Sequence, residues 1–168
     1  MPSEGVSEAS LSYMSRLKTC GARRDWPEVL VVLEELRQSE EFADTYHYTA
    51  AMTVGKRAGE WRAVLALLDE LIATGAQPDL PCFNAALAAC VAAGRPEEAR
   101  TVLLERMPLC GLRPIASCYT AVGKAHAATG DWQGALDWFD EIGRQGLAPS
   151  FADYKVCLLY TSDAADDA

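Results

Sequence analysis

The sequence predicts an all-α fold, a right-handed α-solenoid built from antiparallel helix pairs. Two observations predict it: a pattern that recurs about every 35 residues, and apolar residues at helical spacing inside each copy. Half of the 168 residues are apolar, which is too many for a disordered chain. Because one helix pair cannot bury its apolar face alone, successive pairs are expected to stack.

The repeating pattern can be aligned in four full copies, named here repeats 1 to 4, at residues 10–44, 45–79, 80–115 and 116–150. A partial fifth copy begins at residue 151, and residues 1–9 are expected to form an N-terminal tail. Repeats 2 to 4 share an aromatic residue at position four, Gly at position fifteen and a closing Gly-x-x-Pro. Repeat 1 keeps the aromatic residue but has Arg24 in place of the glycine. The array therefore covers residues 10–156.

Each repeat is expected to form two helices. In repeat 2, residues 46–58 are rich in Ala, Met and Val, and Gly59 then breaks the pattern as a left-handed helix end does. Apolar residues at helical spacing follow from Trp61, and Gly75 and Pro78 end the second helix. Trp recurs at position seventeen of repeats 1, 2 and 4, where we expect it to anchor the second helix to the core.

The net charge of −9, from 15 Lys and Arg against 24 Asp and Glu, argues at first against nucleic acid as a partner. The charges are nevertheless sorted by helix. The predicted first helices hold seven bases and no acid, whereas the second helices hold thirteen acids. We therefore expect a basic-to-neutral groove lined by first helices and an acidic face formed by second helices. An acidic face of this kind also serves solubility without any partner.

No motif indicates catalysis, a cofactor or a membrane span. The six cysteines form no Cys-x-x-Cys pair, which indicates reduced, mostly buried thiols rather than disulfides or a zinc site. His47 and His126 are far apart in sequence and have no Cys or carboxylate at metal-ligand spacing. No phosphate-binding Gly loop, Gly-x-Ser-x-Gly elbow or run of 18 uncharged apolar residues occurs. We expect no enzyme activity, no cofactor or metal and no membrane partner.

The repeat pattern over residues 10–156 resembles the pentatricopeptide repeat family, with the 35-residue units of its P-type members. The tetratricopeptide family is the nearest rival, but its unit has 34 residues and Trp where this chain has Tyr48, Phe83 and Tyr119. The resemblance implies a concave groove that binds single-stranded RNA, about one base per repeat. It also implies a role in RNA processing, editing, stability or translation, mostly in mitochondria or plastids. The alternative is a tetratricopeptide-like scaffold that binds a peptide or a partner helix in the groove.

The resemblance further implies a set of RNA-contacting residues. In the family, the fifth and last residues of a repeat read a base edge, the second packs on a base face, and late first-helix cations approach phosphates. The base-reading positions here are Asp44, Thr49, Asp79, Asn84, Thr120 and Ser150. The base-stacking positions are Tyr46 and Pro81, and the phosphate-contacting positions are Lys56, Arg57 and Lys124.

One of these reading pairs is chemically complete. Thr49 with Asp79 goes with guanine in the family, since a carboxylate accepts from a ring N–H and a hydroxyl donates or accepts. Asp79 is equally suited to cap the helix that follows it. Asn84 is paired instead with Ile115, whose side chain makes no hydrogen bond, and the extra residue of repeat 3 leaves that register open.

The two ends of the chain carry separate expectations. Residues 157–167 resemble a translated sequencing adapter, so residues 157–168 are expected to be an artefact and the native chain a fragment of a longer protein. The N-terminus shows neither a charged-then-apolar signal nor an Arg-rich amphipathic presequence.

Overall fold

A computed structural model describes residues 7–39 and 43–148, and all regular secondary structure in these residues is helical. The first helices of the repeats are α1 (Glu8–Arg23), α3 (Thr45–Ala58), α5 (Leu80–Ala93) and α8 (Ala116–Ala128). The second helices are α2 (Trp26–Gln38), α4 (Trp61–Ala73), α6 (Pro96–Thr101) and α9 (Trp132–Arg144). A π-helical segment (Val102–Arg106) and α7 (Met107–Leu109) continue α6. Ser150, the partial fifth repeat and the adapter-like residues 157–168 lie outside the described residues.

Every second helix begins at position seventeen of its repeat, which is Trp26, Trp61, Pro96 or Trp132. The preceding residue explains two of these starts. The carboxylates of Asp25 and Asp131 accept the backbone N–H groups of Glu28 (3.2 Å) and Gly134 (2.9 Å), as helix N-caps do. At Pro96 the ring fixes a helical φ where no backbone donor is needed.

The turn between the two helices of each repeat requires a left-handed residue. Gly59, Gly94 and Gly130 hold this position with φ of 78°, 63° and 80°. In repeat 1 the same conformation is adopted by Arg24, with φ of 54°. The backbone therefore repeats even where the glycine does not, and Arg24 carries the strain that a Cβ causes in this region.

The chain divides into two compact bodies between Ala89 and Cys90. In the first body, α3 packs against α1, α2 and α4. Its core is aliphatic and includes the fully buried Leu17, Val29, Met52 and Leu68. In the second body, α8 packs against α6 and α9, around Leu103, Met107, Val122 and Ile142. Four of the five described cysteines are buried free thiols, as the sequence predicts: Cys20, Cys82, Cys90 and Cys118.

The π-helical segment absorbs the extra residue of repeat 3. Ile115, the last residue of that repeat, is the N-cap of α8, just as Asp44 is the N-cap of α3. The insertion thus lies wholly inside the second helix, and the last position of the repeat is not displaced. This resolves the register that the sequence left open: Ile115 is the structural equivalent of Asp44.

No helix within the described residues is both long enough and apolar enough to cross a lipid bilayer.

Candidate nucleic-acid interface

Thr49 and Asp79 meet at one residue, Cys82, in the first turn of α5. Oδ1 of Asp79 lies 3.2 Å from the backbone N of Cys82 and accepts its proton, which makes Asp79 a helix cap. Oγ1 of Thr49, on α3, lies 2.9 Å from Sγ of the same cysteine. The structure therefore brings this predicted reading pair together, although Thr49 and Asp79 are at opposite ends of repeat 2 in sequence.

The hydrogen bonds around Cys82 determine what this pair can offer a ligand. The Thr49 hydroxyl donates its only proton to the carbonyl oxygen of Thr45 at 2.8 Å, so the thiol is the donor in the contact with Thr49. Burial raises the pKa of the Cys82 thiol to about 11, which keeps that proton in place. The Asp79 carboxylate has more lone pairs than its contacts with Cys82 use, and Thr49 Oγ1 also keeps a lone pair. The pair is thus an acceptor site, suited to a base edge that carries N–H donors.

Three further predicted contact residues lie on the surface near this pair in sequence. Tyr46, at the start of α3, is 71% exposed, so its ring is free to stack. Asn84 and Pro81, on α5, are also exposed. The amide of Asn84 offers both donors and an acceptor to solvent.

Asp44 is engaged more tightly than Asp79. Its Oδ1 accepts the backbone N–H of His47 at 3.1 Å and lies 2.7 Å from Nδ1 of the same residue. The His47 side chain is 1% exposed, and its Nε2 lies 3.2 Å from Oγ of Ser10 in the preceding repeat. Asp44 therefore closes a capping box on α3.

Position three of repeats 2 and 3 is a contact position that sequence reasoning missed. His47 and Cys82 both occupy it, and both join the last residue of one repeat to the first helix of that repeat. A sequence signal for this position was available: His47 and Cys82 each follow an acidic N-cap residue by three places, the spacing at which a side chain can form a hydrogen bond back to the cap.

Thr120 does not fit the predicted reading role. Its side chain is 3% exposed and its hydroxyl donates to the carbonyl oxygen of Ala116 at 3.0 Å. A residue this deeply buried presents almost no surface to a base. Thr120 is therefore left out of the interface developed below, and Ser150, its expected partner, lies outside the described residues.

The cations of the first helices are fewer than the charge count suggested. Arg57 is exposed in the last turn of α3, and Lys56 and Lys124 are half-buried. Arg16 is withdrawn, because its guanidinium donates to Glu35 and to Glu28 of α2, and these bonds raise its pKa. The predicted absence of acids from first helices is also wrong at one place, since α1 begins at Glu8.

No group of three or more His, Cys, Asp or Glu side chains in the described part of the chain is arranged to hold a metal ion.

The repeats match a known sequence family. The family model described as PPR repeat, the pentatricopeptide repeat, matches residues 81–109 and 117–147, which lie inside repeats 3 and 4. Two of the four repeats of this chain thus carry the sequence pattern of the pentatricopeptide repeat family. No curated protein is similar to it at the level of sequence.

Solved pentatricopeptide repeat structures share the fold. The pentatricopeptide repeat protein PPR10 from maize superposes with a TM-score of 0.78 at 25% identity, over 96% of this chain and 23% of PPR10. The PPR domain of Arabidopsis thaliana protein-only RNase P 1, in complex with tRNA, gives 0.75 at 18% identity, over 95% of this chain and 84% of that domain. PPR10 in complex with an 18-nt psaJ RNA element gives 0.76 at 19% identity, over 92% of this chain and 22% of PPR10.

These similarities confirm the predicted fold class, an all-α solenoid of antiparallel helix pairs. The chain spans less than a quarter of the length of PPR10.

Proposed function

We propose that this pentatricopeptide repeat chain binds single-stranded RNA along its first helices, and that it acts in RNA processing, editing, stability or translation. It would position or shield RNA and perform no chemistry of its own. The observation that carries the proposal is the convergence of Thr49 and Asp79 on Cys82, with acceptor atoms left over. The solved PPR10 structure that contains an RNA element supports it.

The Thr49–Asp79 pair is proposed to read a guanine. The Watson–Crick edge of guanine presents two adjacent donors, N1–H and the N2 amino group, and the pair presents two acceptors. Asp79 Oδ2 would accept from one donor and Thr49 Oγ1 from the other. Uracil and cytosine cannot satisfy both acceptors in this way, so an unsatisfied polar atom would disfavour them.

Tyr46 and Pro81 are proposed to hold bases by stacking, and Arg57, Lys56 and Lys124 to approach phosphates. Stacking of a base on an aromatic ring contributes about 1–3 kcal/mol. Each phosphate contact adds a salt-dependent increment, and the small number of available cations implies modest affinity. Asn84 is proposed to read a base by itself, because Ile115 contributes no hydrogen bond beside it.

A peptide-binding scaffold is less well supported by the same residues. A groove for a peptide helix is lined mainly by apolar pockets. In the first body, by contrast, the predicted contact positions Asp79 and Asn84 are polar and accessible.

The full chain should be tested with a randomised single-stranded RNA pool at several salt concentrations. We expect enrichment of guanine at one position and weaker binding as salt rises. Absence of enrichment together with salt-independent binding would contradict the proposal.

A matched pair of variants tests the reading assignment itself. Thr49→Asn should shift the preference at one position from guanine towards uracil. Thr53→Asn lies one turn further along α3, where the Thr53 hydroxyl donates to the carbonyl oxygen of Thr49, and should leave the preference unchanged. An unchanged preference in Thr49→Asn, or an equal shift in both variants, would refute the assignment.

A further inference from the structure

The second body contains an open cleft on its second-helix side, of about 450 Å³, which we name the α6–α9 cleft. It is lined by Glu97, Arg100 and Leu104 from α6 and the π-helical segment, by Tyr119 and His126 from α8, and by Gly134, Asp137, Trp138, Glu141, Arg144 and Gln145 from α9. Its volume is in the range of sites that hold small ligands or single side chains. None of these residues has a place in the RNA interface.

The corresponding place in the first body is filled by an arginine. Arg37 of α2 donates from Nε and Nη2 to the two carboxylate oxygens of Glu70 on α4, at 2.8 and 2.6 Å. The hydroxyl of Tyr48 donates to Glu70 as well, at 2.8 Å. A guanidinium, a carboxylate and a tyrosine thus join the second helices of repeats 1 and 2 in a bidentate arrangement.

The second body keeps the tyrosine and the glutamate of this cluster but has no arginine at the matching repeat position. Tyr119 and Glu141 stand at the same repeat positions as Tyr48 and Glu70. Arg37 is at position 28 of repeat 1. The equivalent residue of repeat 3 is Met107 when counted from the start of the repeat and Pro108 when counted from its end, and neither side chain carries a charge. Repeat 3 differs here because the π-helical segment inserts a residue just before this position.

His126 adds a buried acceptor to the same cleft. The residue is 9% exposed, and its Nδ1 lies 2.8 Å from Oδ2 of Asp131, which holds the ring proton on that nitrogen. Nε2 is buried and has no hydrogen-bond partner among the described residues. Gly134 makes the arrangement possible, because a Cβ there would collide with both Asp131 and His126. An unsatisfied buried acceptor costs stability unless a ligand completes it.

We propose that the α6–α9 cleft binds an arginine side chain presented by a partner protein. Carboxylates of Glu97, Asp137 and Glu141 surround the cleft, and the half-buried ring of Trp138 in its lining is a group on which a guanidinium can stack. Leu104, 47% exposed, lies at the rim and suits an apolar neighbour of that arginine.

The two arginines already at the rim do not fill the cleft. Arg100 and Arg144 are each paired with a glutamate three residues away on the same helix, Glu97 and Glu141, at 3.7 and 3.1 Å. They are 55% and 66% exposed, and such exposed pairs contribute little to stability. An incoming guanidinium can therefore replace the contact of Arg144 with Glu141 at small cost.

The test uses the ¹⁵N-labelled full chain and N-acetyl-L-arginine amide, followed by the indole N–H resonance of Trp138, which Trp138→Phe assigns. The neutral isostere N-acetyl-L-citrulline amide is the matched ligand. We expect the arginine amide to shift this resonance saturably. The affinity should be about tenfold lower for the citrulline amide, and about tenfold lower for the arginine amide in Glu141→Gln, because each change removes one charge-assisted hydrogen bond. Equal responses to both ligands, or none to either, would overturn the proposal.

Two further variants define the occupant. Pro108→Arg supplies an arginine from the chain itself, as Arg37 does in the first body, and should abolish the response to the arginine amide.

Acetyl-Leu-Arg amide should bind more tightly than acetyl-Gly-Arg amide if the arginine belongs to a protein segment that also covers Leu104. If Lys155→Ala moves the Trp138 resonance without any ligand, the chain's own C-terminal residues occupy the cleft and the proposal is wrong. RNA binding should be unchanged in Glu141→Gln, which separates this site from the RNA interface.

Discussion

Arg24 adopts a left-handed conformation that the other repeats assign to glycine. A Cβ in this region costs about 1–2 kcal/mol, while glycine loses about 0.4–1 kcal/mol more entropy on folding. Arg24→Gly should therefore raise the free energy of unfolding by about 0.5–1 kcal/mol. Urea denaturation followed by circular dichroism measures it. The reverse change is Gly59→Arg. The new Cβ has open space around it, so this variant should lower the free energy of unfolding through backbone strain alone. A destabilised Arg24→Gly variant would contradict this account.

Glu70 makes the stability of the first body depend on pH. Burial on its own would raise the pKa of Glu70, but the hydrogen bonds from Arg37 and Tyr48 and the charge of Arg37 lower it below the ordinary value of 4.5. A carboxylate with a lowered pKa in the folded state stabilises the fold at neutral pH, and this contribution is lost as the pH falls through the folded-state pKa. Glu70→Gln should thus be less stable than the wild type at neutral pH.

The difference between Glu70→Gln and the wild type should shrink as the pH falls below 4.5, because the protonated glutamate then resembles glutamine. Chemical denaturation at a series of pH values measures it. Glu141→Gln is the matched control, since Glu141 holds the same repeat position but its described hydrogen-bond partners, Arg144 and Gln145, are neighbours on its own helix. Parallel pH profiles for wild type and Glu70→Gln would refute the role of Glu70.

At the scale of elements, the π-helical segment of repeat 3 is an insertion that the fold tolerates. Deletion of Glu105, an exposed residue of this segment, should convert it to regular α-helix and leave the chain folded. Deletion of Ala88 from the regular helix α5 should unfold that part of the chain, because every later residue of the helix rotates by about 100°. Thermal unfolding by circular dichroism compares the two. Equal loss of helix in both deletions would show that the π-helical segment is required for the fold.

The helices could be predicted from the sequence because their signals are local. Position seventeen starts each second helix, with an Asp cap in repeats 1 and 4 and Pro96 in repeat 3, and a left-handed residue closes each first helix. The π-helical segment could not be predicted, since an extra residue in a 36-residue repeat carries no mark of where the backbone absorbs it. The cluster of Arg37, Glu70 and Tyr48 was equally hidden, because it joins residues from two repeats.

The candidate interface was predictable only in part. The family pattern selected Thr49 and Asp79, and both contact Cys82, but their role in reading a base stays a prediction. The pattern did not distinguish Thr120 from Thr49, although one is buried and the other is half-buried, because burial depends on neighbouring helices rather than on repeat position. It also could not show that Arg16 is taken by the glutamates of α2.

For the whole molecule, the net charge of −9 describes the second helices more than the first. The acids of α2 neutralise one first-helix arginine, and the acids of α9 line a cleft whose two arginines, Arg100 and Arg144, are paired with glutamates on their own helices. Because exposed charges are screened beyond about 8 Å at physiological ionic strength, the acids of the second helices do not prevent cations on the first helices from contacting phosphates.

The salt dependence of RNA binding tests the central claim most directly. The logarithm of the association constant should fall linearly with the logarithm of salt concentration, with a slope of about −0.7 for each phosphate contact. Arg57→Ala should reduce the magnitude of this slope by about 0.7, because Arg57 is exposed at the end of first helix α3. Arg62→Ala, which removes an exposed arginine from second helix α4, should leave it unchanged. Salt-independent binding, or equal slope changes in the two variants, would contradict the assignment of RNA to the first helices.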